Sequence, residues 1–380
     1  MREVYITRTA SFLPNESISN DEMEQYLGQI GERASKSRRV VLRNNGIESR
    51  FYAITKDGKA THTNSEMVSL AIRKLLNNDP KELAEIDLLS CGTSTPDQMM
   101  PSHAVMTHGW LPETNNIEVV SPSGVCCSGM HAYKYAYMSL KLGESTKAVC
   151  SGSERLSRIL HAEQFEIEVK EMGALEKNPI LAFEKDFLRW MLSDGAATFL
   201  MSAEKNPTGV SLKVDWIEAF SFANEAEACM YMASDKNEDG TLKSYMDFTP
   251  EERVNKSILS IKQDVKLLGE NIIKLGFKKL EQSIKGKGIN VDDITYFLPH
   301  MSSYFFEQKI ADMLVECDMH IPKERWFTNL KTKGNVGAGS IYLMVDELFN
   351  SGKLKIGDKV LLAVPESSRF SYVFSMLTVC

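Results

Sequence analysis

The sequence predicts an α/β fold in which helices cover a sheet of buried strands. Strand-like and helix-like segments alternate along the 380 residues, which is the pattern of α/β layered proteins. With 43% hydrophobic and 25% charged residues, the chain can build one large or two medium domains. The order of strands and helices in residues 1–205 is similar to that in residues 206–380, which predicts two related halves. Because helices separate most strands, we expect mainly parallel pairing.

The first half has the clearest alternation. Apolar residues at intervals of three and four in residues 64–76 indicate a helix packed on one face. The predicted strands are residues 4–11, 86–92, 117–120, 148–153 and 194–201. One helix is predicted to begin at about residue 20, and three further helices are predicted for residues 64–76, 101–110 and 128–142.

The second half repeats this rhythm. Its predicted strands are residues 210–219, 294–298 and 359–364, and its predicted helices are residues 258–280, 304–316 and 339–350. Residues 154–190 and 223–257 break the pattern with charged, methionine and aromatic residues. We therefore predict two insertions that cap one face of the molecule, as a lid or a dimer contact.

Composition limits the classes of function. A net charge of −7 argues against nucleic acid or an anionic membrane surface as the main partner. The seven cysteines form no CxxC pair and no ladder with histidines, so neither a disulfide framework nor a metal site is expected, and no cofactor is predicted. No segment approaches the ~20 apolar residues of a membrane span, and residues 1–9 do not read as a signal peptide. A cytoplasmic protein is expected.

Residues 121–134 read Ser-Pro-Ser-Gly-Val-Cys-Cys-Ser-Gly-Met-His-Ala-Tyr-Lys, and Cys127 within them is a candidate nucleophile. Ser128 and Gly129 are small enough to let an electrophilic carbonyl approach its sulfur. A helix that starts just behind the cysteine favours the thiolate over the thiol. The alternative is a strand-to-helix turn with two buried cysteines. Cys126 fits a packing role.

Two polar residues of the second half are candidates to act with this cysteine. His300 follows the predicted strand 294–298, at the edge where open α/β sheets bind ligands, although a histidine here can also be a simple loop donor. Asn335 lies in a glycine-rich turn that leads into a helix, where it can also act as an N-cap. This turn lacks the lysine and serine spacing of a phosphate loop, so nucleotide binding is not expected.

The segments around Cys127, His300 and Asn335 resemble the Cys-His-Asn triad of the thiolase superfamily, in its branch of ketoacyl-acyl-carrier-protein synthase III. Other segments are similar to motifs of that family: residues 45–50 (Asn-Gly-Ile-Glu-Ser-Arg), 93–96 with 100–102, 193–197 (Ser-Asp-Gly-Ala-Ala) and 357–362 (Gly-Asp-Lys-Val-Leu-Leu). The resemblance covers essentially the whole chain. It implies a five-layered α-β-α-β-α thiolase-like architecture, and a homodimer in which the segment with Met100 reaches the partner's pocket.

The resemblance also implies a role for each residue of the triad. Cys127 would be acylated by a thioester, which splits a difficult condensation into two easier steps. His300 and Asn335 would donate hydrogen bonds to the second thioester as it becomes an enolate. The Cys127 N–H would stabilise the oxyanion at the acyl carbonyl. Substrate contacts are expected from four further residues: Met100, Asp97, Ser368 and Arg369.

Two departures from the family pattern modify these expectations. Val40 and Asn44 stand where synthase III enzymes that start from coenzyme A carry an aromatic residue and an arginine, which favours acyl groups on an acyl carrier protein over coenzyme A thioesters. Three nearby arginines face either an acidic carrier protein or only solvent: Arg38, Arg39 and Arg43. Residues 365–370 (Pro-Glu-Ser-Ser-Arg-Phe) replace a glycine-rich loop, so we expect an altered oxyanion geometry.

Within this branch, the chain resembles the DarB ketosynthases of dialkylresorcinol and flexirubin-type pigment pathways. That resemblance implies condensation of a β-ketoacyl thioester with a second acyl thioester and closure to a 2,5-dialkylcyclohexane-1,3-dione, which a downstream aromatase oxidises. Asp97 and Glu366 are candidates for an additional base. Apolar residues at the end of the first insertion either hold a long acyl chain or pack in the core and the dimer contact: Met172, Leu175, Ile180, Leu181, Phe183, Phe187, Leu188, Trp190, Met191 and Leu192.

Two other functions remain open. A ketoacyl synthase III that primes fatty-acid or polyketide synthesis by decarboxylative Claisen condensation would release a linear β-ketoacyl product. A non-condensing acyltransferase or acyl-binding relic on the same fold would tolerate a different third residue, so the intact Cys-His-Asn set disfavours it. The product distinguishes the cyclising ketosynthase from the priming synthase, because the first releases a cyclic dione and the second a linear β-ketoacyl chain.

Overall fold

The computed structural model describes residues 1–30, 38–165 and 188–380. The strands of the first half are β1 (Tyr5–Phe12), β2 (Ile18–Ser19), β3 (Ser49–Arg50), β4 (Leu88–Gly92), β5 (Glu118–Val120), β6 (Lys147–Glu154) and β7 (Gly195–Ser202). Those of the second half are β8 (Leu212–Ser221), β9 (Met230–Tyr231), β10 (Ser234–Lys236), β11 (Leu242–Ser244), β12 (Lys262–Gln263), β13 (Ile294–Pro299), β14 (Lys359–Glu366) and β15 (Ser371–Val379).

The helices connect these strands. In the first half they are α1 (Met23–Leu27), α2 (Arg38–Asn45), α3 (Asn64–Leu75), α4 (Pro80–Ala84), α5 (His103–Gly109) and α6 (Cys126–Leu142). In the second half they are α7 (Pro250–Asn255), α8 (Val265–Asn271), α9 (Lys274–Gly286), α10 (Glu307–Glu316), α11 (Leu330–Lys333) and α12 (Ser340–Phe349).

One large sheet organises the described part of the chain. Its nine strands follow the order β13-β14-β15-β8-β1-β7-β6-β4-β5. The two halves meet where β1 pairs with β8, and outward from that junction β1-β7-β6-β4 is repeated by β8-β15-β14-β13. The direction of each pair is repeated as well, since β4–β6 and β13–β14 are both parallel. The two related halves predicted from the sequence are confirmed.

The expectation of mainly parallel strands is wrong. Parallel pairing joins β4 to β5, β4 to β6 and β13 to β14, whereas the remaining pairs of the large sheet are antiparallel. The reason is clearest at β15, which the sequence reading missed. Only residues 367–370 separate it from β14, and a parallel partner would need a crossover of a dozen residues or more.

Helices α6 and α12 form the middle layer of the molecule. Helix α6 packs on β4 and β6 of the first half and on β14 and β15 of the second, and α12 packs on β1, β7 and β13. Helix α3 covers the outer side of β1 and β7, and α9 packs against β15. This layering is the predicted α-β-α-β-α architecture, and it places the N-terminus of α6 between the halves.

Most predicted elements are present, with two informative errors. The long helix predicted for residues 258–280 is wrong. There β12 pairs with β9, after which the Asp264 carboxylate accepts the Leu267 N–H (2.8 Å) and starts α8. Helix α6 begins at Cys126 rather than at Ser128, so Cys127 lies within the first turn.

Among the described residues, no helix has the length and apolar character needed to span a membrane.

Candidate active site

Cys127 is fully buried in the first turn of α6. Its thiol donates a hydrogen bond to the Val364 carbonyl on β14 (3.3 Å). The first turn is closed by Ser128, whose hydroxyl and N–H both donate to the Val125 carbonyl. The sulfur is thereby directed from the middle layer toward the carboxyl end of β14.

Glu366 occupies the N-terminus of the same helix. One carboxylate oxygen, Oε2, accepts the N–H groups of Val125 and Cys127, each at 2.9 Å. The other oxygen accepts the Ser368 hydroxyl (2.7 Å). A carboxylate is favoured at this position, because the first N–H groups of a helix lack partners within the helix and carry partial positive charge. The N–H expected to stabilise an acyl oxyanion is therefore already engaged.

Cys127 is a neutral thiol in this environment, not the thiolate expected from the helix N-terminus. Burial raises the pKa of the Cys127 thiol well above its ordinary value, and the charge of Glu366 raises it further. The same two effects raise the pKa of Cys126. Burial is the main cause of the raised pKa, and the helix terminus that would stabilise a thiolate already holds a carboxylate.

His300 comes directly after β13 and next to the strand that accepts the Cys127 thiol. Its backbone N–H donates to the Ala363 carbonyl (2.8 Å), one residue before Val364. Burial lowers the pKa of the imidazole to about 4, so the ring is neutral at pH 7. A neutral imidazole can donate a single hydrogen bond to a developing enolate without first losing a proton.

A small cavity of about 50 Å³ lies beside His300. Its wall is mostly apolar and comes from α8, α9, α10 and the turn after β14: Cys126, Leu268, Ile272, Ile273, Phe277, His300, Met301, Ser302, Phe306, Ile310, Pro365 and Ser367. Ligand pockets usually occupy roughly 300–1,000 Å³. The cavity thus fits the reacting end of an acyl group, and a long chain would require its walls to separate. Cys126 faces this cavity.

Asn335 is held by its backbone against the end of the first insertion. Its N–H donates to the Met191 carbonyl (3.0 Å), and its carbonyl accepts the Ser193 N–H (2.9 Å). Its side-chain oxygen accepts the Gly337 N–H (3.0 Å) and the Ser340 hydroxyl (3.3 Å). The cap-like bond considered from the sequence is therefore present. Among the described residues nothing accepts a hydrogen bond from Nδ2, which is the atom that the predicted role requires.

Close backbone contacts fix the Asn335 turn against α6. A Cβ on Gly129 would lie 2.5 Å from the Ala338 carbonyl oxygen, and one on Gly152 would lie 2.1 Å from it. The Tyr342 hydroxyl on α12 donates to the Gly129 carbonyl (2.7 Å). Only glycine allows these approaches, so the helix with Cys127 and the turn with Asn335 are built as one unit.

Glu154, at the end of β6, is a site residue that the sequence reading missed. Its carboxylate is fully buried and accepts the Ala338 N–H (3.1 Å) together with the hydroxyls of Ser94 and Thr95 (both 2.7 Å). Burial raises the pKa of Glu154 to about 7. A glutamate that ends a run of buried small residues, Cys-Ser-Gly-Ser-Glu, was the available signal. Glu154 joins the Asn335 turn to residues 93–95.

The structure separates Asp97 and Met100 from the triad. The Asp97 carboxylate accepts the Asn64 and Ser65 N–H groups at the start of α3 (2.8 and 3.0 Å) and pairs with Arg155 (3.1 Å). Burial alone would raise the pKa of Asp97, but the hydrogen bonds to its carboxylate lower it by more, so the pKa lies below its ordinary value. Met100 is 84% exposed.

Ser368 and Arg369 have different environments. Ser368 contacts Glu366 through its hydroxyl, and its carbonyl accepts the Cys229 and Met230 N–H groups. Arg369 is exposed, and its Nε donates to the Ala226 carbonyl (2.9 Å). The second insertion, residues 223–257, thus holds the turn after β14. Ser368 is brought into the site, and Arg369 lies on the surface beside that insertion.

The apolar residues of the first insertion divide into two groups. Those from Met172 to Phe187 lie outside the described residues. The rest are buried in the same hydrophobic cluster as the cavity wall: Leu188, Trp190, Met191 and Leu192. Both alternatives considered from the sequence remain open for them, because a core residue next to the cavity can also line an acyl channel.

Comparisons with known proteins agree with this fold. Residues 284–364 match the family model described as 3-oxoacyl-[acyl-carrier-protein (ACP)] synthase III C terminal. The β-ketoacyl-[acyl-carrier-protein] synthase III of Clostridium tetani is 26% identical over 361 residues, with 95% of this chain and 94% of the relative covered. That of Clostridium perfringens strain SM101 is 23% identical over 355 residues, with 92% of each covered.

Solved structures share the fold along the whole chain. AbyA1, a tetronic acid condensing enzyme, has a TM-score of 0.75 at 17% identity, covering 99% of both chains. OleA of Xanthomonas campestris with bound acetamide has a TM-score of 0.71 at 17% identity, covering 99% of this chain and 98% of the other. The synthase III of Thermus thermophilus has a TM-score of 0.70 at 18% identity, covering 98% of both.

Proposed function

We propose that this chain, a β-ketoacyl synthase III-like condensing enzyme of the thiolase fold, joins a β-ketoacyl thioester to a second acyl thioester and closes the product into a 2,5-dialkylcyclohexane-1,3-dione. This is the reaction of the DarB ketosynthases that the sequence resembles. Cys127 carries one acyl group, and His300 and Asn335 stabilise the enolate of the other. The dione is a precursor of dialkylresorcinols, so a downstream aromatase would consume it.

The observation that carries the proposal is the meeting of three distant segments at one buried point. The Cys127 thiol and the backbone N–H of His300 bond to successive carbonyls of β14, those of Val364 and Ala363, so both residues lie beside that strand. The turn with Asn335 contacts α6 behind the cysteine through Gly129. A nucleophile and two neutral hydrogen-bond donors on rigid elements are the groups that acyl transfer through an enolate needs.

The atoms balance when the acyl group on Cys127 is an enoyl chain. The α-carbon of the β-ketoacyl thioester adds to the enoyl β-carbon. The γ-carbon then attacks the Cys127 thioester carbonyl, and the carbon–sulfur bond breaks to release the thiolate. Three ring carbons come from each substrate, and the remaining thioester carbonyl leaves by hydrolysis and decarboxylation.

The turn after β14 favours a cyclising enzyme over a priming synthase. In a priming synthase, loss of CO₂ supplies the electron pair of the enolate. Such an enzyme needs hydrogen-bond donors that stabilise the enolate, but it needs no base to remove a proton. Here a buried carboxylate, 7% exposed, stands at the N–H of Cys127. An acid–base group in this place suits a substrate that must lose a proton instead of CO₂.

Priming of fatty-acid or polyketide synthesis is the second candidate function. It is favoured by the curated relatives in two Clostridium species, which are named β-ketoacyl-[acyl-carrier-protein] synthase III and match over nine-tenths of the chain. Decarboxylative condensation would use the same Cys127, His300 and Asn335.

The surface supports a carrier protein as the source of the acyl groups. Val40, Asn44, Arg39 and Arg43 are all exposed on α2, whereas Arg38 is partly buried and donates to the Asn20 carbonyl. An acidic carrier protein can pair with the two exposed arginines, while the exposed face lacks an aromatic platform for an adenine. We also propose a homodimer, because Met99 and Met100 are 65% and 84% exposed.

Product analysis tests the proposed function. The protein is incubated with an enoyl thioester and a β-ketoacyl thioester, and the products are identified by mass spectrometry. We expect the cyclic dione, and we expect H300A or N335A to lower the rate by roughly 100-fold to 1,000-fold, the usual loss for one oxyanion donor. H320A, which removes an exposed histidine, serves as the matched control. A linear β-ketoacyl product without any dione would support the priming function instead.

A further inference from the structure

Glu366 makes contacts that exceed the needs of a helix cap. It ends β14, opposite Ser371 on β15, and is nearly as buried as the cysteine it contacts. Its oxygen Oε2 is shared by the Val125 and Cys127 N–H groups, while Oε1 is held by Ser368. The two oxygens therefore have separate anchors, one on α6 and one on the turn after β14.

Acylation of Cys127 must change this arrangement. The carbonyl oxygen of an acyl group on the sulfur becomes anionic during transfer and competes for the Cys127 N–H. When that oxygen takes the N–H, Oε2 is displaced, whereas the Ser368 hydroxyl still holds Oε1 (2.7 Å). The carboxylate has then lost the Cys127 N–H, so Oε2 can accept another hydrogen, and it remains next to the acylated sulfur.

Three other titratable groups near the site are less suited to accept a proton. Asp97 is engaged by Arg155 and by α3. Glu154 is engaged by Ala338, Ser94 and Thr95, and acylation does not compete for these donors as it does for the Cys127 N–H. His300 is buried beside the cavity wall and serves as a donor in the proposed reaction.

We propose that Glu366 is the general base of the condensation: displaced from the Cys127 N–H by acylation, it removes the α-proton of the β-ketoacyl thioester. This inference rests on the proposed function, because a malonyl substrate would need no base. The displacement also orders the steps, since the base is released only after the acyl group is in place.

Each proton and electron pair has a destination. Glu366 takes the α-proton, and the electron pair of that carbon–hydrogen bond forms the bond to the enoyl β-carbon. The enolate that results recovers the proton from Glu366. The carboxylate then takes the γ-proton, the γ-carbon bonds to the thioester carbonyl carbon, and the Cys127 carbon–sulfur bond breaks. The departing thiolate takes the proton from Glu366, which restores the neutral thiol and the carboxylate of the resting site.

The test separates acylation from condensation in the full-length protein. Wild type, E366Q and E366D are first treated with an enoyl thioester, and the mass gained by the protein is followed with time. Excess β-ketoacyl thioester is then added, and the loss of acyl-enzyme is followed in a single turnover. E251Q, which makes the same change at an exposed position of α7, is the control.

We expect E366Q to be acylated at least as fast as wild type, because the charge that opposes the thiolate is gone. Its acyl-enzyme should react with the β-ketoacyl thioester roughly 100-fold to 10,000-fold more slowly, the usual contribution of a general base. E366D should recover part of the rate, and E251Q should behave as wild type.

Two results would overturn the role of Glu366 alone. One is an E366Q acyl-enzyme that reacts as fast as wild type. The other is an E366Q protein that loses acylation as severely as condensation, which would make Glu366 a positioning residue. A wild-type acyl-enzyme that survives the β-ketoacyl thioester would overturn the proposed function itself, and the role of Glu366 with it.

Discussion

Burial determines the charge of two histidines, His300 in the site and His103 at the start of α5. His300 and His103 are both buried, and burial lowers the pKa of each to about 4, below the ordinary value of 6.5. Between pH 6.5 and pH 4 the unfolded chain therefore binds protons that the folded chain does not. Above pH 6.5 both states bind the same number of protons at these histidines, so their titration does not change the free energy of unfolding. As the pH falls from 6.5 toward 4, each histidine lowers that free energy.

A pH series of unfolding experiments checks this effect at the residue scale. Replacing His300 by asparagine removes one of the two groups, so the loss of stability between pH 6.5 and pH 4 should shrink by roughly 3 kcal/mol. Urea unfolding of wild type, H300N and H320N at several pH values measures this change in the free energy of unfolding. H320N is the control, because His320 is exposed. Parallel curves for wild type and H300N would show that the imidazole is already solvated in the folded protein.

At the scale of elements, the position of α6 depends on contacts that admit only glycine. Adding a Cβ to Gly129 or Gly152 would place it 2.5 or 2.1 Å from the Ala338 carbonyl oxygen, and this neighbour is backbone that must move. G129A should therefore lower the free energy of unfolding by roughly 1–3 kcal/mol. It should also lower the condensation rate, because α6 carries Cys127 and the turn carries Asn335.

Gly286 provides the control for that substitution. It ends α9 and has open space around it, so G286A should change neither stability nor rate appreciably. Chemical unfolding and the acyl-enzyme assay measure the two quantities. A G129A protein as stable and as active as wild type would show that α6 and the Asn335 turn can separate without cost.

Prediction from the sequence succeeded where short patterns determine an element. The capping box of Thr63 and Glu66 and the spacing of apolar residues behind it fix α3, and the predicted helix matches it. Prediction failed where contacts between residues far apart in the sequence determine an element. Asp264 starts a separate helix only because β12 pairs with β9, and β15 turns back because residues 367–370 form a tight turn. Likewise, nothing local shows that Glu366 reaches the helix N-terminus 239 positions away.

At the scale of the whole molecule, the exposed methionines predict self-association. Met99 and Met100 are largely exposed, and the Tyr245 hydroxyl lies against the Met99 sulfur (3.3 Å), so the apolar surface extends onto the second insertion. A contiguous patch of exposed apolar side chains commonly marks an interface. We expect a homodimer in solution, and M100K should shift it toward the monomer by placing a charge in that contact.

Light scattering coupled to size-exclusion chromatography measures this shift. I356K makes a similar change at an exposed residue at the opposite end of β14 from Glu366, and it should leave the mass unchanged. A wild-type monomer, or a dimer unaffected by M100K, would show that Met100 does not reach a partner.

The site of acylation tests the central claim most directly, because Cys126 and Cys127 are adjacent: Cys126 lines the cavity beside His300, whereas the Cys127 thiol is bonded to the Val364 carbonyl. Wild type, C126A and C127A are incubated with an enoyl thioester, digested, and the acylated peptide is sequenced by tandem mass spectrometry. The acyl group should be found on Cys127 in wild type and in C126A, and it should be absent from C127A. An acyl group on Cys126, or acylation that survives in C127A, would contradict the assignment of Cys127 as the nucleophile.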